Sequence, residues 1–381
     1  MTDSRPGREP IAARSRESRA SGGSLPPTPL ISGRAIAESM EEDKGAVMTP
    51  TRRALLSGAL ALAAPVVRRV QAETSEVLIA QQFGLLYLQQ DVMERLDLIE
   101  KHAARLGLPN LKARFVRLGG TGPVTDALLA GKLHFGSGGA PGAMLLWDRS
   151  RGAIKSCFAM NATDQKLLTV RPDLRRIEDL KPTDRIALPA VKTAPQAIWL
   201  QMAAAAAFGP AEWNRFDSLA VGRAHPDSMA AMLARTEINC HWSTSPFQER
   251  ALADPALREV TSSFRVMGLP SVTPNTIYGN AAFREANPIA WKACLAAFQE
   301  ATDFINKEPA QAVEIYLKNS GDKDSAQNVL SAMRSSGNDF TLQPRGLMKV
   351  ASFMAETGVL KRRPATLGDL FFPEALDLGG S

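Results

Sequence analysis

From residue 77 onward, short apolar runs alternate with turns of small polar residues, and each turn is followed by apolar positions at helical spacing. Val77-Leu78-Ile79-Ala80 predicts a first strand, with Gln81-Gln82-Phe83-Gly84 as its turn. A helical pattern then runs through Leu96, Leu98 and Ile99 to Leu106, where Gly107 and Pro109 stop it. Leu111–Leu118 alternates apolar and basic positions as a second strand, and Gly119-Gly120-Thr121-Gly122-Pro123 opens a helix over Val124–Ala130 that ends on Gly131. Leu133-His134-Phe135 reads as a third, buried strand. It is expected to break at once into a turn, Gly136-Ser137-Gly138-Gly139, before a helix restarts with Pro141 in its first turn. Ile154–Met160 predicts a fourth strand, ending at Asn161-Ala162-Thr163.

A polar run, Arg171–Asp184, follows Leu167-Leu168-Thr169-Val170 and marks a change of unit. A second series begins with the strand Arg185–Leu188, the turn Pro189–Gln196 and an Ala-rich buried helix, Ala197–Phe208, closed by Gly209-Pro210. A short strand at Leu219-Ala220-Val221, a helix over Pro226–Leu233 and a strand over Glu237–Trp242 follow, the last running into Ser243-Thr244-Ser245-Pro246. Thr273–Gly279 reads as a return crossing. Helices are expected over Ile289–Asn306, Pro309–Leu317, Asp324–Arg334 and Gly346–Thr357, with Leu370-Phe371-Phe372-Pro373 packing as an apolar tail. Strand, turn and helix repeated in this way predict parallel sheets covered by helices. In such sheets ligands bind beyond the carboxyl ends of the strands, where helix starts present free backbone N–H groups. Here there are two such sets of turns, able to face one another. No internal repeat has a solenoid period.

At 381 residues, with 45% hydrophobic and 22% charged positions, the chain is long enough for two lobes with separate cores. Of the net charge of +6, residues 1–72 carry +4, so the rest is nearly balanced. With three tyrosines and no basic-aromatic block, nucleic-acid binding is not expected. Cys157, Cys240 and Cys294 are widely spaced and odd in number, and read as small buried apolar residues. His102, His134, His225 and His241 form no HExxH pair, and neither a GxSxG elbow nor a GxxxxGK[ST] loop occurs, so no metal, cofactor or catalytic group is expected.

The N-terminus reads as an address. Residues 1–47 are rich in Ser, Pro, Gly and Arg without apolar periodicity, and predict a disordered or mis-assigned leader. Residues 48–72 have the build of an export signal: Thr51-Arg52-Arg53, an apolar run from Ala54 to Val67 too short to span a bilayer, and a small-x-small end at Val70-Gln71-Ala72. Translation starting at Met48 and a mature chain beginning at Glu73 in the periplasm are the expectation. Thr-Arg-Arg-Ala-Leu-Leu partly matches a twin-arginine signal, leaving Sec and Tat export both open.

Several motifs in order resemble one family. They are Leu98-Ile99-Glu100-Lys101-His102 with Leu106-Gly107-Leu108, Ala127–Gly131 leading into His134–Gly139, Ile186–Lys192, Leu200–Ala204, His241-Trp242-Ser243 and Asp369–Glu374. Across residues 75–375 the chain resembles the periplasmic substrate-binding proteins of ABC importers, in the nitrate, sulfonate and taurine group that includes binders of thiamin-pyrimidine precursors. The resemblance implies an α/β, two-lobed (type II) clamp, each lobe a mainly parallel sheet flanked by helices, with two hinge crossings. It also implies a monomer that delivers a small molecule to a membrane permease–ATPase complex. Lobe I is expected over 73–170 and 273–381, and lobe II over 171–272. Pro195 and the bulky Trp242 depart from the family's usual pattern.

The expected ligand contacts lie on the turns of the two series. Gln81, Phe83 and Gly84, then Gly120, Thr121 and Gly122, then Ser137, Gly138 and Gly139, and Asn161 come from the first. Lys192, Thr193 and Gln196, then Trp242, Ser243 and Thr244 come from the second. Helix starts and Lys192 favour an anionic or strongly polar small molecule, and Phe83 and Trp242 suit its apolar part. Two other readings stay open: an enzyme on the same fold, of the thiamin-pyrimidine type but lacking its Cys-rich motif, and a periplasmic solute sensor.

Overall fold

The computed structural model describes residues 72–335 and 337–381. The expected leader and almost all of the expected export signal, residues 1–71, lie outside the described residues. Among the described residues ten strands form two five-stranded sheets. The first contains β1 (Glu76–Gln81), β2 (Lys112–Arg117), β3 (Phe135–Gly139), β4 (Ile154–Ala159) and β10 (Asn275–Asn280) in the order β2-β1-β3-β10-β4. β1 runs parallel to β2 and β3, while β10 is antiparallel to both β3 and β4. The second contains β5 (Lys166–Thr169), β6 (Ile186–Leu188), β7 (Ala220–Gly222), β8 (Cys240–Trp242) and β9 (Arg258–Ser262) in the order β7-β6-β8-β5-β9. Here β5 is the lone antiparallel strand. Each sheet is therefore mainly parallel, with its fourth strand reversed.

Two sequence expectations are corrected. β5 belongs to the second sheet, so the chain leaves the first between Ala159 and Lys166, ahead of the expected boundary at Val170. Leu167 and Leu168, fully buried between β8 and β9, hold that strand in place. Secondly, Gly136-Ser137-Gly138-Gly139 is not a turn but the body of β3. The small residues are there because neighbours leave no room. A Cβ on Gly136 would lie 2.1 Å from the Tyr278 ring on β10, and one on Gly139 2.6 Å from Pro195 Cδ in the other lobe. What reads as a break is a strand pressed between two close partners.

Helices cover both sheets. Pro288–Lys307 and Pro309–Ser320 pack against Leu88–Arg95 and Leu98–Arg105 beside the first sheet. The Glu73 carboxylate accepts from the Ile289 and Ala290 N–H groups at the start of the long helix, satisfying two otherwise unpaired donors. The core beneath stacks Phe135 on Trp291, with ring centroids 4.9 Å apart. The tail closes this lobe: Leu370, Phe371 and Phe372 are buried, and Phe372 N–H donates to Ser156 O at 2.8 Å. Beside the second sheet, Pro195–Phe208 buries its first ten residues, which is why its composition shows no polar face. Cys157, Cys240 and Cys294 are buried free thiols. No helix among the described residues is long and apolar enough to cross a membrane.

Candidate ligand-binding cleft

The carboxyl ends of the two sheets meet. β1 ends in a turn at Gly84, whose φ of +104° is backbone that favours glycine. The turn leaves Phe83 43% exposed and directs the Leu85 N–H to Ser245 O, 3.3 Å away in the other lobe. A Cβ on Gly84 would sit 3.2 Å from the same oxygen, and one on Gly120 3.3 Å from Pro189 O. Further out, Arg250 reaches across to Asp322 (2.6 Å) and Asp324 (2.7 Å), and Asn338 Nδ2 donates to Ser245 Oγ at 2.9 Å. The lobes are closed on one another.

Between them lies a cavity of about 30 Å³. One water needs roughly 10–15 Å³ on this measure, so in this closed form the space suits a small group. Gln82, Phe83, Leu86 and Tyr87 line it from the turn after β1, with Thr121, Gly139 and Asn275 beside them. The second lobe contributes Pro189, Ala194, Pro195, Gln196, Ala224, His225 and Thr244, and Gln165 comes from the crossing into β5. Four helices begin here: Thr121–Leu129, Ala140–Arg149, Pro195–Phe208 and His225–Leu233.

The second lobe's wall is a chain of amides. Gln165 Nε2 donates to Thr244 Oγ1 (3.0 Å), and Gln196 Nε2 donates to Gln165 Oε1 (2.8 Å). Gln196 Oε1, buried, has no hydrogen-bond partner. Behind this wall His225 Nδ1 lies 3.0 Å from His241 Nε2. Burial pushes His225 down to about 3, although its ring edge reaches the cavity. Burial and the adjacent His225 push His241 well below the ordinary imidazole range. Both rings are neutral near pH 7, when one can donate and the other accept. On the first lobe Asp91 sits under the β1 turn, bonded by Gln81 Nε2 (2.9 Å) and Arg117 (3.1 Å). Burial raises its carboxyl to about 6 against the opposing pull of these partners.

The expected contacts separate into two sets. Phe83, Thr121, Gly139, Gln196 and Thr244 line the cavity. Gly84, Gly120 and Gly138 belong to the close backbone approaches around it: Gly138 runs beside Gln82, whose Nε2 donates to Ser137 O. Gly122 follows Thr121 in the helix start, and the Thr193 carbonyl packs against Gly139. The others turn elsewhere. Gln81 is taken by Asp91. Ser137 Oγ donates to Ala80 O and Asn161 Nδ2 to Leu86 O, both within the first lobe's core. Trp242 is fully buried beside Trp199, and Ser243 is buried with its N–H on Lys166 O. Lys192 is exposed and outside the cavity lining.

Sequence reasoning passed over Gln82, although its turn was singled out, and Leu86, Tyr87, Gln165, His225 and Asn275. Tyr87 and Leu86 follow the glycine that redirects the chain, and His225 stands directly before a helix-opening proline. Those neighbours were the available signal.

No family model matches the chain, and no curated protein does. Solved structures do. The alkanesulfonate-binding protein SsuA from Xanthomonas axonopodis pv. citri, bound to MOPS, aligns with a TM-score of 0.61 at 15% identity, covering 78% of this chain and 98% of its own. SsuA from Escherichia coli, a periplasmic aliphatic sulphonate binding protein, aligns at 0.57 and 16%, covering 80% and 99%. The periplasmic nitrate-binding protein NrtA from Synechocystis PCC 6803 aligns at 0.59 and 12%, covering 78% and 84%. The chain has the two-lobed α/β fold of the periplasmic binding proteins.

Proposed function

We propose that this protein is the extracytoplasmic solute-binding component of an ABC importer. It captures a small anionic or polar organic molecule between its lobes and hands it to a membrane permease–ATPase complex. The observation that carries this reading is the cleft itself, lined from two sheets of matching topology whose carboxyl ends face each other. Such a site suits capture rather than reaction: its polar groups are amides, hydroxyls and neutral imidazoles. The fold neighbours' roles as sulfonate and nitrate binders support it, as does the signal-like stretch at residues 48–72. Ligand that bridges the lobes favours the closed state by binding it more tightly than the open one.

Small-angle scattering of residues 73–381, with and without a solute that raises the melting temperature, tests this. The expected result is a smaller radius of gyration at saturation. An unchanged radius, or a bound solute displaced by substitutions remote from the cavity, contradicts the clamp.

A further inference from the structure

We infer that the cleft selects an uncharged solute that carries a hydrogen-bond donor, of the carboxamide type, over the anions named for the protein's structural neighbours. The inference rests on the solute-binding reading above and narrows it.

Three features of the cavity converge on this class. None of the residues lining it is Lys, Arg, Asp or Glu. An ion brought from water into this space would lose its hydration without meeting a counter-charge, a loss that a neutral solute largely escapes. Next, each of the four helices that begin at the cleft has a proline within its first three residues: Pro123, Pro141, Pro195 and Pro226. Proline has no N–H, so each helix start offers one fewer of the free backbone donors that hold anions elsewhere. Lastly, the wall holds one buried acceptor without a partner. Gln196 spends its Nε2 on Gln165 Oε1, and its buried Oε1 is unpaired. Nitrate and sulfonate oxygens only accept and would leave that carbonyl orphaned. An amide N–H₂ would complete it, and leaving a buried acceptor unpaired discriminates strongly against solutes without a donor. Tyr87 and Phe83 add aromatic carbon to the lining for the apolar part of such a solute.

Equilibrium dialysis of residues 73–381 tests the idea with matched pairs that exchange a neutral, donor-bearing amide for an anionic, acceptor-only carboxylate: nicotinamide and nicotinate, benzamide and benzoate, acetamide and acetate. Nitrate, methanesulfonate, taurine and a small-molecule cell extract are run beside them. The expected result is that retained solutes are neutral at pH 7 and that an amide is held at least ten-fold more tightly than its acid. In Gln196→Leu that preference should shrink at least three-fold, the uncharged lining keeping the remainder, with circular dichroism confirming the fold. Retention of an acid, nitrate or a sulfonate as tightly as any neutral solute overturns the inference while leaving solute capture intact. Retention of nothing, from panel or extract, together with an unchanged scattering radius, overturns solute capture and this inference with it.

Discussion

The two sheets share one plan and fill it differently. In each, a pair of parallel strands flanks a third, and a single reversed strand separates that third from the edge: β2-β1-β3-β10-β4 in one lobe, β7-β6-β8-β5-β9 in the other. The third strand is the telling position. β3 is Phe-Gly-Ser-Gly-Gly, stripped of side chains so that Tyr278 and Pro195 can approach it. β8 is Cys-His-Trp, whose bulk fills the lobe beneath a wall of amides. One lobe reaches the cleft with backbone and aromatic rings from the β1 turn, the other with glutamines and imidazole. Equal topology brings the two sets of carboxyl ends together, and unequal filling gives each side of the cleft different groups.

Exchanging size at the third strands should break each lobe in its own way. Trp242→Ala removes a fully buried ring and should cost about 3–5 kcal/mol, the range for truncating buried aromatics. Gly136→Ala does the opposite, driving a methyl into the fully buried Tyr278, and should cost about 1–3 kcal/mol through overpacking. Urea unfolding measures both. A Gly136→Ala protein as stable as the parent would show that β3 is small for some reason other than its neighbours. Because neither side chain lines the cavity, the folded fraction of each variant should bind solute within a few-fold of the parent.

The glycine run also shows how much was legible beforehand. Alternation and helix stops located seven of the described strands and the long helices, because burial of Val77–Ala80 or Ile186–Leu188 and the chain reversals at Gly107 and Gly209 are local effects. By contrast, β5 and β9 went unassigned and β10 was read only as a crossing. Gly136–Gly139 was misread because its cause is distant: the β10 tyrosine lies far along the chain, and a sequence shows only that the residues are small. The same limit governed the site. Junction residues gave Phe83, Thr121, Gly139, Gln196 and Thr244, but Ser137 and Trp242, equally junctional, face their own cores. Which way a side chain leaves a strand depends on pairing register, and a one-residue shift reverses it.

A second contrast lies in the titratable groups behind the cleft. The Asp91 carboxyl is raised to about 6 by burial, so the folded lobe holds its proton more tightly than the unfolded chain does. Its contribution to stability is present below about pH 4 and fades as pH rises to about 6. The His225–His241 pair is held down by burial, so the unfolded chain binds protons first. Its contribution is present above about pH 6.5 and is lost as pH falls. Between pH 4 and 6 the lobes therefore pull in opposite directions. Asp91→Asn should remove the acid-side gain and steepen the loss of stability from pH 6 to 4 by about 1–3 kcal/mol, the size that a shift of one to two pH units implies. Urea midpoints of parent and variant at pH 4.5 and 7.5 measure it, and parallel profiles would show that Asp91 does not drive the difference.

The smallest expected effect bears most directly on the ligand. Lys192 is the cation that the sequence offers to an anion, since it lies in the turn between β6 and an Ala-rich helix. In the fold it points away from the cavity into solvent, on the lobe whose cleft wall is neutral amide and imidazole. Lys192→Ala should therefore change stability by less than about 0.5 kcal/mol, as surface substitutions usually do. Affinity for a bound solute should stay within two-fold, because long-range attraction from an exposed ammonium is screened over about 8 Å at physiological salt. Calorimetric titration at low and high salt checks both. A ten-fold loss of affinity, greatest at low salt, would place a positive charge back at the mouth of the cleft and return the ligand to the anions.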